Sequence, residues 1–320
     1  MKNLAPNITK IAVGVDVSKD HLDCCIYPTE KLLRIPNTTG GLKKLVRKLL
    51  SGKGVTQVVC EASGGYERLM VKTLRKRGYK VWVVDPKRIK AYKDSKGRRV
   101  KTDPIDAKMI ALFAGQESCD YEQCNPSEQE EDIKALANRR SSLVAMVINE
   151  KKRLQQESNI ACKKSIEQTI RYLEKQIKII DKKRKVIIEG QGNLQKKADI
   201  MQSMRGVGAT TAHDLLSFVP ELGKVENKAI AAIVGVAPET RQSGKYNGHA
   251  FIRGGRSAAR KALYMAALTA SRSNPVLSQF YNRLTSRGKP SKVALVGVMR
   301  KMIVTLNVML REEKTWINYA

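Results

Sequence analysis

Short apolar segments with the composition of β-strands recur along the first 90 residues. They are rich in Val, Ile and Leu and cover 10–18, 21–28, 31–37, 56–62 and 80–86. Only short polar turns separate the first three segments, which predicts an antiparallel meander. Apolar residues at helical spacing over 41–54 and 66–79 separate the later strands. This alternation of strands and helices predicts an α/β domain with a mixed sheet.

The middle of the chain has a purely helical pattern. From about 127 to 190, Gly and Pro are almost absent and polar residues interleave with Leu, Ile and Val. Two long amphipathic helices are predicted over 131–156 and 165–188, with a turn at 157–164. A helical hairpin or coiled coil is the natural interpretation. Such an arm could dimerise the protein or pack on its own domain.

The last third of the chain is helical, with glycine-rich joints. MRGVGATTAHDLLSFVP (204–220) carries Gly-Val-Gly just before a helical pattern, as does the hairpin of a helix-hairpin-helix DNA-binding motif. Glycines there let the backbone approach a phosphate, although a tight turn between any two helices can also carry two glycines. A final amphipathic helix is predicted over 293–311. The chain is therefore predicted to have three domains, 1–126, 127–192 and 193–320.

The charge balance points to a polyanionic partner. Sixty Lys and Arg residues stand against thirty Asp and Glu residues, which gives a formal net charge of +30 at pH 7. A soluble protein tolerates such self-repulsion most easily when it binds nucleic acid. A ribosomal-type structural protein and a merely solvated basic surface are the alternatives.

The lack of a recognisable targeting signal and the spacing of the cysteines predict a protein of the reducing cytoplasm. No apolar run approaches the ~20 residues that a membrane span needs, and MKNLAPNITK lacks the apolar stretch of a secretory signal. We therefore expect a cytoplasmic protein that acts at the nucleoid, with no membrane partner. Cys119 and Cys124 flank four residues, but no second pair or histidine follows at zinc-ligand spacing. Reduced thiols are the simpler interpretation.

Four carboxylates stand where a metal site explains them better than packing does. Asp16 ends the strand pattern GVDVS and Glu61 ends VVCEASGGY, where a core strand would carry Val or Ile. A helix is predicted over 102–114, and Asp103 and Asp106 would share one face of it. A divalent cation would offset their repulsion, and hard oxygen ligands suit Mg²⁺ or Mn²⁺. An arginine pair, a turn cap or the helix macrodipole would explain single acids among them.

The motifs that carry these acids resemble a known family. GVDVSKDHLD, VVCEASGGYE and KTDPIDAKMIA resemble the Asp-Glu-Asp-Asp N-terminal domain of the insertion-sequence-110 family of transposases. VGVAPETRQSGKYNGHAFIRGGRSAARKALYMAAL (234–268) resembles the second domain of that family. The similarity runs over nearly the whole chain in the same order. Piv-type DNA invertases are similar at the same places.

The resemblance implies a fold, a set of site residues and partners. The N-terminal domain is expected to be RuvC-like, with the ribonuclease H fold, and the C-terminal transposase domain to be mostly α-helical. The metal-binding tetrad maps onto Asp16, Glu61, Asp103 and Asp106, and the serine nucleophile onto Ser243. A non-coding bridge RNA would pair with target and donor DNA. The protein would act on two duplexes as a homo-oligomer, a dimer or a tetramer.

Basic residues surround both candidate catalytic segments. Positive charge that could hold a scissile phosphate near Ser243 comes from Arg241, Lys245, Arg253, Arg256 and Arg260. Before the predicted 102–114 helix, nucleic-acid contacts are predicted for Lys96, Arg98, Arg99 and Lys101. A flexible turn at Ser243-Gly244 and solvated loop charge at 93–101 are the alternatives.

The main hypothesis is DNA strand exchange through a phosphoserine intermediate, with Mg²⁺-assisted catalysis. Phosphodiester bonds are exchanged rather than lost, so no ATP is needed, and the chain has no Walker-type GxxxxGK[ST] loop. A RuvC-type structure-specific endonuclease would use the same acids to activate water, and Ser243 would then be incidental. A non-enzymatic nucleic-acid-binding protein would use the acids only structurally. Free or protein-linked DNA ends discriminate between the first two hypotheses.

Overall fold

The computed structural model describes residues 11–50, 54–97, 103–117, 127–240, 242–243, 246–247 and 250–316. Of residues 49–50, 103–104, 242–243 and 246–247 it describes the backbone only. The chain forms two compact units, Met1–Asn125 and Pro126–Ala320. The second unit holds both the long helical hairpin and the C-terminal helices, so the predicted boundary near residue 192 stays a prediction.

A five-stranded mixed sheet forms the first unit. Its strands are β1 (Ala12–Val17), β2 (His21–Tyr27), β3 (Lys31–Pro36), β4 (Gln57–Glu61) and β5 (Val81–Val84). They lie in the order β3-β2-β1-β4-β5. β2 pairs antiparallel with β1 and β3, whereas β4 runs parallel to β1 and β5 runs parallel to β4. The predicted meander and mixed sheet are confirmed. The sheet is compatible with a RuvC-like fold.

Helices cover both faces of this sheet. They are α1 (Thr39–Leu45), which continues into a π-helical turn (Val46–Leu50), α2 (Arg68–Arg75), α3 (Pro86–Ser95) and α4 (Asp103–Gln116). On one face Val13 and Val15 pack with Leu42 and Met70 of α1 and α2. On the other face the strands pack against α4, where Ala12 and Val59 meet Ile110 and Phe113. Cys24 and Cys60 are free, buried thiols.

Helix α3 is missing from the sequence prediction, which assigned only basic loop character to its end. The segment PKRIKAYKDS buries Ile89 alone, so it lacks the apolar stripe that predicts a helix. Its start is set by local bonds instead. The Asp85 side chain accepts a hydrogen bond from the Lys87 backbone N–H at 2.8 Å, and Pro86 stands in the first turn.

Two long antiparallel helices begin the second unit, as predicted. They are α5 (Glu128–Gln156) and α6 (Ile160–Glu189). Leu143 and Val147 of α5 pack against Ile170 and Leu173 of α6. The turn is shorter than the predicted 157–164, because the Asn159 side chain accepts hydrogen bonds from two backbone N–H groups and starts α6 there.

Six further helices follow among the described residues of the second unit. They are α7 (Gly192–Gln202), α8 (Ala209–Phe218), α9 (Asn227–Val234), α10 (Ser257–Ser273), α11 (Pro275–Ser286) and α12 (Ser291–Glu312). By length and composition α12 could cross a membrane, so the expectation that no segment approaches that length is wrong. Its apolar side chains, among them Val298, Met302 and Leu306, lie in the core of this unit. α12 is therefore a central core helix.

Candidate active site

Asp16 and Glu61 end neighbouring parallel strands of the sheet. Val15 of β1 pairs with Cys60 of β4, so one further step along both strands brings Asp16 beside Glu61. Side chains alternate between the two faces of a sheet. Both acids therefore point to the face that carries Ala12 and Val59, on which α4 packs.

Helix α4 crosses this face antiparallel to β1 and β4. A Cβ atom built on Gly14 of β1 would lie 2.1 Å from the Ala111 backbone N, so glycine is needed where the helix meets the strand. At the other end of β4, the Gln57 side chain donates hydrogen bonds to the carbonyl oxygens of Ala114 and Glu117, at 2.6 and 2.8 Å. The start of α4 therefore lies at the carboxyl ends of the strands.

Asp106 and Asp16 lie at about the same level along the sheet. Asp106 is five residues before Ala111, a rise of about 7.5 Å in an α-helix. Asp16 is two residues beyond Gly14, a rise of about 6.7 Å in a strand. Asp103 begins α4 one turn earlier, and its side chain lies outside the described residues. Among the side chains that the structure describes, no three His, Cys, Asp or Glu form a group that could hold a metal ion, so the tetrad stays a prediction.

A fifth acid, Asp23, lies directly opposite Asp16 in the β1–β2 ladder. It is 8% exposed, and Arg34, its partner on β3, donates Nε–H and NH2 hydrogen bonds to both carboxylate oxygens at 2.7 and 2.8 Å. This two-point pair neutralises the negative charge of Asp23 beside Asp16. This pair was not predicted from the sequence, although Arg and Asp at facing positions of adjacent antiparallel strands are a recognisable signal.

Asp106 forms an ion pair that the sequence analysis also missed. Lys93 of α3 lies with its Nζ 2.8 Å from the Asp106 Oδ1, and the two side chains are 21% and 14% exposed. No periodicity indicates this contact, because α3 itself lacks an apolar stripe. In this pair Lys93 places a positive charge against Asp106 at the end of the sheet that carries the acids.

The loops that follow Asp16 and Glu61 are tied together by Asn37. Its side-chain amide donates hydrogen bonds to the carbonyl oxygens of Ser18 and Tyr66, at 3.1 and 2.9 Å. Ser18 follows β1 and Tyr66 lies in the loop after β4. Asn37 is thus a positioning residue, since it links the backbone beyond both acids.

Glu67 organises the loop after Glu61 from within. Its Oε2 accepts hydrogen bonds from the Ser63 hydroxyl at 2.6 Å and from the Gly65 backbone N–H at 2.9 Å. Burial acts to raise the pKa of Glu67, but these hydrogen bonds outweigh it and hold the pKa below its ordinary value. Glu67 therefore remains ionised and fixes the backbone of the segment SGG.

Ser243 lies near the tip of a two-step β-hairpin between α9 and α10. The outer step pairs β6 (Pro238–Glu239) with β9 (Phe251–Ile252), and the inner step pairs β7 (Gln242–Ser243) with β8 (Tyr246–Asn247). Ser243 pairs with Tyr246, so two residues of the sequence connect these paired positions, as in a short β-hairpin. The side chain of Ser243 is outside the described residues, so its role as nucleophile stays a prediction.

Close backbone contact holds the base of this hairpin. A Cβ on Gly255 would lie 2.3 Å from the Gly235 backbone N, and one on Gly235 would lie 2.4 Å from the Gly254 carbonyl oxygen. The Arg260 NH1 donates to that carbonyl at 2.6 Å. The two ends of the hairpin therefore meet over a glycine contact that larger residues would open.

The predicted nucleic-acid contacts fall into three groups. Arg253 is exposed, and Lys96 is exposed beside the Tyr92 ring, 5.3 Å from its centroid. Arg256 and Arg260 form hydrogen bonds within the protein. Arg256 donates to both carboxylate oxygens of Glu221 at 2.6 Å and to the Phe218 carbonyl at 2.9 Å. The remaining residues, Arg98, Arg99, Lys101, Arg241 and Lys245, lie outside the described residues. The phosphate contacts of all nine stay predictions.

The predicted helix-hairpin-helix segment consists of α7, a tight turn and α8. Gly206 in this turn has φ +104°, and a Cβ there would lie 2.5 Å from the Ala270 Cβ. Gly208 is the N-cap of α8, and a Cβ there would meet no atom within 4 Å. The first glycine therefore serves packing on α10, whereas a side chain at the second would meet open space at the start of α8.

Two family models match the chain. Residues 13–157 match a DEDD-type IS110 model described as a transposase. Residues 198–282 match a model described as a transposase of the IS116/IS110/IS902 family. Together the two matches cover more than half of the chain, and they include both the strand-end acids and the Ser243 hairpin. The chain belongs to the IS110 family of transposases.

Curated relatives of this IS110-family chain are of two kinds. The pilin gene-inverting proteins of Moraxella lacunata and Moraxella bovis are each 26% identical over 318 residues, which covers 96% of the chain and 98% of each relative. An uncharacterized 43.6 kDa protein of insertion element IS110 from Streptomyces coelicolor is 33% identical over 115 residues, 35% of the chain and 28% of that protein. The chain is thus related to Piv-type invertases as well as to insertion elements.

Family membership supports a transposase or site-specific DNA recombinase activity, and with it DNA binding. This agrees with the formal net charge of +30. The hypothesis of a merely structural basic protein is not supported.

Proposed function

We propose that this IS110-family protein exchanges DNA strands through a covalent phosphoserine intermediate. In this proposal Asp16, Glu61, Asp103 and Asp106 bind divalent metal in a RuvC-like domain, and Ser243 is the nucleophile. The observation that carries the proposal is the shared position of Asp16, Glu61 and the start of α4 at one end of the sheet.

The donor chemistry fits Mg²⁺ or Mn²⁺. Carboxylate oxygens are the ligands that these hard cations prefer, and one or two carboxylates plus substrate oxygens commonly complete a magnesium site. A bound divalent cation would supply positive charge to polarise the scissile phosphate and to stabilise the leaving oxygen. The Asn37 and Glu67 bonds would keep the loops beside these acids in one conformation.

Ser243 would carry out the bond exchange. Its Oγ attacks the phosphorus, a serine–phosphate bond forms, and a deoxyribose oxygen leaves with the proton that the serine gives up. The free hydroxyl of the partner strand then attacks the same phosphorus, and the serine regains its proton. One phosphoester replaces another in each step, so no nucleotide hydrolysis is required. A hairpin tip suits this task, because it can enter a groove of the DNA.

The proposed partners are target and donor DNA duplexes and a non-coding bridge RNA that pairs with both. Guidance by RNA is drawn from the family resemblance, and the excess of thirty positive charges supports a large polyanionic ligand. We propose a homo-oligomer, a dimer or a tetramer, in which the α5–α6 hairpin provides a contact between protomers. The protein would act in the cytoplasm, at the nucleoid.

Site-specific inversion is a second candidate outcome of the same chemistry. The match to pilin gene-inverting proteins extends over 96% of the chain, which no match to an insertion-element protein does here. Inversion and transposition differ in the arrangement of the two recombining sites. A plasmid assay with sites in inverted orientation would report a flipped segment for an invertase and an inserted element for a transposase.

A search for a covalent protein–DNA adduct tests the proposed mechanism. The purified protein is mixed with Mg²⁺, labelled duplexes that span the junctions of its element, and RNA transcribed from the flanking non-coding region. Denaturing gels compare the wild type with Ser243→Ala and Asp16→Ala. The matched controls are Ser257→Ala and Asp20→Ala, which remove an exposed serine and an exposed acid of the same two units.

We expect an adduct in the wild type and both controls, and none in Ser243→Ala or Asp16→Ala. Cleavage without an adduct that persists in Ser243→Ala would identify a metal-dependent nuclease instead. An adduct that forms equally well in Asp16→Ala would remove the carboxylates from the proposed chemistry.

A further inference from the structure

The Lys93–Asp106 ion pair lies where the proposed function needs a metal ligand. Most of the lysines that the structure describes are exposed, whereas the Lys93 side chain is 21% exposed and its Nζ lies 2.8 Å from the Asp106 Oδ1. Asp106 is only 14% exposed, so this charge is partly shielded from water. A divalent cation that binds this oxygen must displace the ammonium group, and one that binds the Asp106 Oδ2 would lie close to the positive charge of Lys93.

The position of Lys93 is fixed by contacts of residues that precede it in α3. One residue before, the Tyr92 ring packs edge-on against Phe113, with centroids 5.3 Å apart, and its hydroxyl donates to Gln116 at 2.6 Å. One turn earlier, the Arg88 guanidinium lies over the Trp82 ring at 5.0 Å. These contacts hold α3 against α4 and β5, and they leave Lys93 facing the first turns of α4.

We propose that Lys93 is the internal counter-cation of the carboxylate site and competes with the divalent metal for Asp106. In the metal-free protein, Lys93 neutralises Asp106 and stabilises α3 on α4. Metal binding to Asp106 either displaces the ammonium group or brings a second positive charge beside it, and both lower the metal affinity of the free protein. This inference rests on the proposed carboxylate metal site.

Displacement would also make Lys93 available to the substrate. An ammonium group that leaves Asp106 remains on α3 beside the acids, where a DNA phosphate is its natural partner. Binding of a phosphate by Lys93 and binding of metal by Asp106 would therefore favour each other, as linkage requires. The pair would delay metal loading until DNA is bound.

Titration of Mn²⁺ into the protein without nucleic acid tests the inference, with the electron paramagnetic resonance signal of free Mn²⁺ as readout. Wild type is compared with Lys93→Gln, Lys93→Arg and Asp106→Asn. The matched control is Lys90→Gln, which removes an exposed lysine of the same helix one turn away. Circular dichroism of each variant confirms that it is folded.

We expect Lys93→Gln to bind Mn²⁺ about tenfold more tightly than wild type, the size expected for a partly buried ion pair. Lys93→Arg and Lys90→Gln should bind as wild type does, because the first keeps the competing charge and the second never competed. Asp106→Asn should bind more weakly. Equal or weaker binding by Lys93→Gln overturns the inference and leaves the metal site intact. Absence of saturable Mn²⁺ binding in every variant, wild type included, removes the metal site itself and the inference with it.

Discussion

The two candidate catalytic segments are held in place by different means. Asp16 and Glu61 stand on strands whose other residues form a core, and α4 packs on those strands through the glycine contact at Gly14. Ser243 stands on a hairpin of two-residue strands, joined to its unit at the Gly235–Gly255 contact. The first segment shares the stability of its domain, whereas the second depends on a few contacts at its base.

This difference suits the different roles proposed for the two segments. A metal site needs ligands at fixed separations, and rigid elements provide them. A nucleophile that must reach a phosphate in a large substrate benefits from a projecting element that can adjust to it. Core substitutions should therefore damage the first segment together with its fold, while substitutions at the hairpin base should damage activity more than stability.

The largest effect is expected from Gly14→Ala. Its Cβ would lie 2.1 Å from the Ala111 backbone N, so α4 must move away from β1. We expect a loss of about 3 kcal/mol in the free energy of unfolding, the upper range for overpacking, measured by urea denaturation. Gly40→Ala is the control, since its Cβ would meet only the Thr38 hydroxyl at 3.9 Å. Equal stability of the two variants would show that the helix does not rest on β1 at this point.

A smaller loss of stability, but a large loss of activity, is expected from Gly255→Ala. Gly254 and Gly255 both have positive φ, +68° and +65°, so alanine is strained at either position. Only at Gly255 does the new Cβ also meet backbone, that of Gly235 at 2.3 Å. We expect Gly255→Ala to lose about 2 kcal/mol more than Gly254→Ala and to form the covalent adduct at least tenfold more slowly. Equal adduct rates would refute the idea that the base contact positions Ser243.

Arginines beside the hairpin should separate into a binding and a structural group. Arg253 is exposed, so Arg253→Gln should weaken DNA binding and reduce the salt slope of the affinity by about 1, without loss of stability. Arg256 is paired with Glu221, so Arg256→Gln should lower the free energy of unfolding by about 1 kcal/mol with a smaller change in the slope. Filter-binding assays at several salt concentrations and urea denaturation measure the two quantities. A loss of stability in Arg253→Gln together with a lower salt slope in Arg256→Gln would contradict this grouping.

The smallest effect is expected for the contribution of Glu67 to the pH dependence of stability. Its folded pKa lies below the ordinary value of 4.5, so the unfolded chain takes up a proton first as the pH falls. The contribution of Glu67 is complete above pH 4.5 and decreases as the pH falls through its folded pKa. Between pH 6 and pH 3, wild type should therefore lose more stability than Glu67→Gln. Parallel denaturation curves for the two proteins would show that the loop bonds contribute nothing.

Periodicity in the sequence predicted the elements that carry the acids, because strands and amphipathic helices leave regular apolar patterns. Asp16 and Glu61 stood out since they break such patterns at strand ends. Lys93 could not be found in this way, because α3 has one buried residue and its position depends on tertiary contacts of Tyr92 and Arg88.

The C-terminal hairpin was missed for a related reason. Its strands are two residues long, which is too short for alternation to be detected. The structural roles of Arg256 and Arg260 were equally invisible, since a basic residue looks the same in a sequence whether it binds phosphate or a neighbouring carboxylate. Resemblance to the family was needed to single out Ser243.

The length of the α5–α6 hairpin follows from the lengths of its two helices. Its helices have 29 and 30 residues, so the turn at 157–159 lies about 45 Å from the opposite end of the arm. That length corresponds to about 13 base pairs of duplex DNA. Removing seven residues from each helix would keep the same faces in contact and shorten the arm by about 10 Å. The distance between the turn and the opposite end of the arm is therefore set by the number of residues in its two helices.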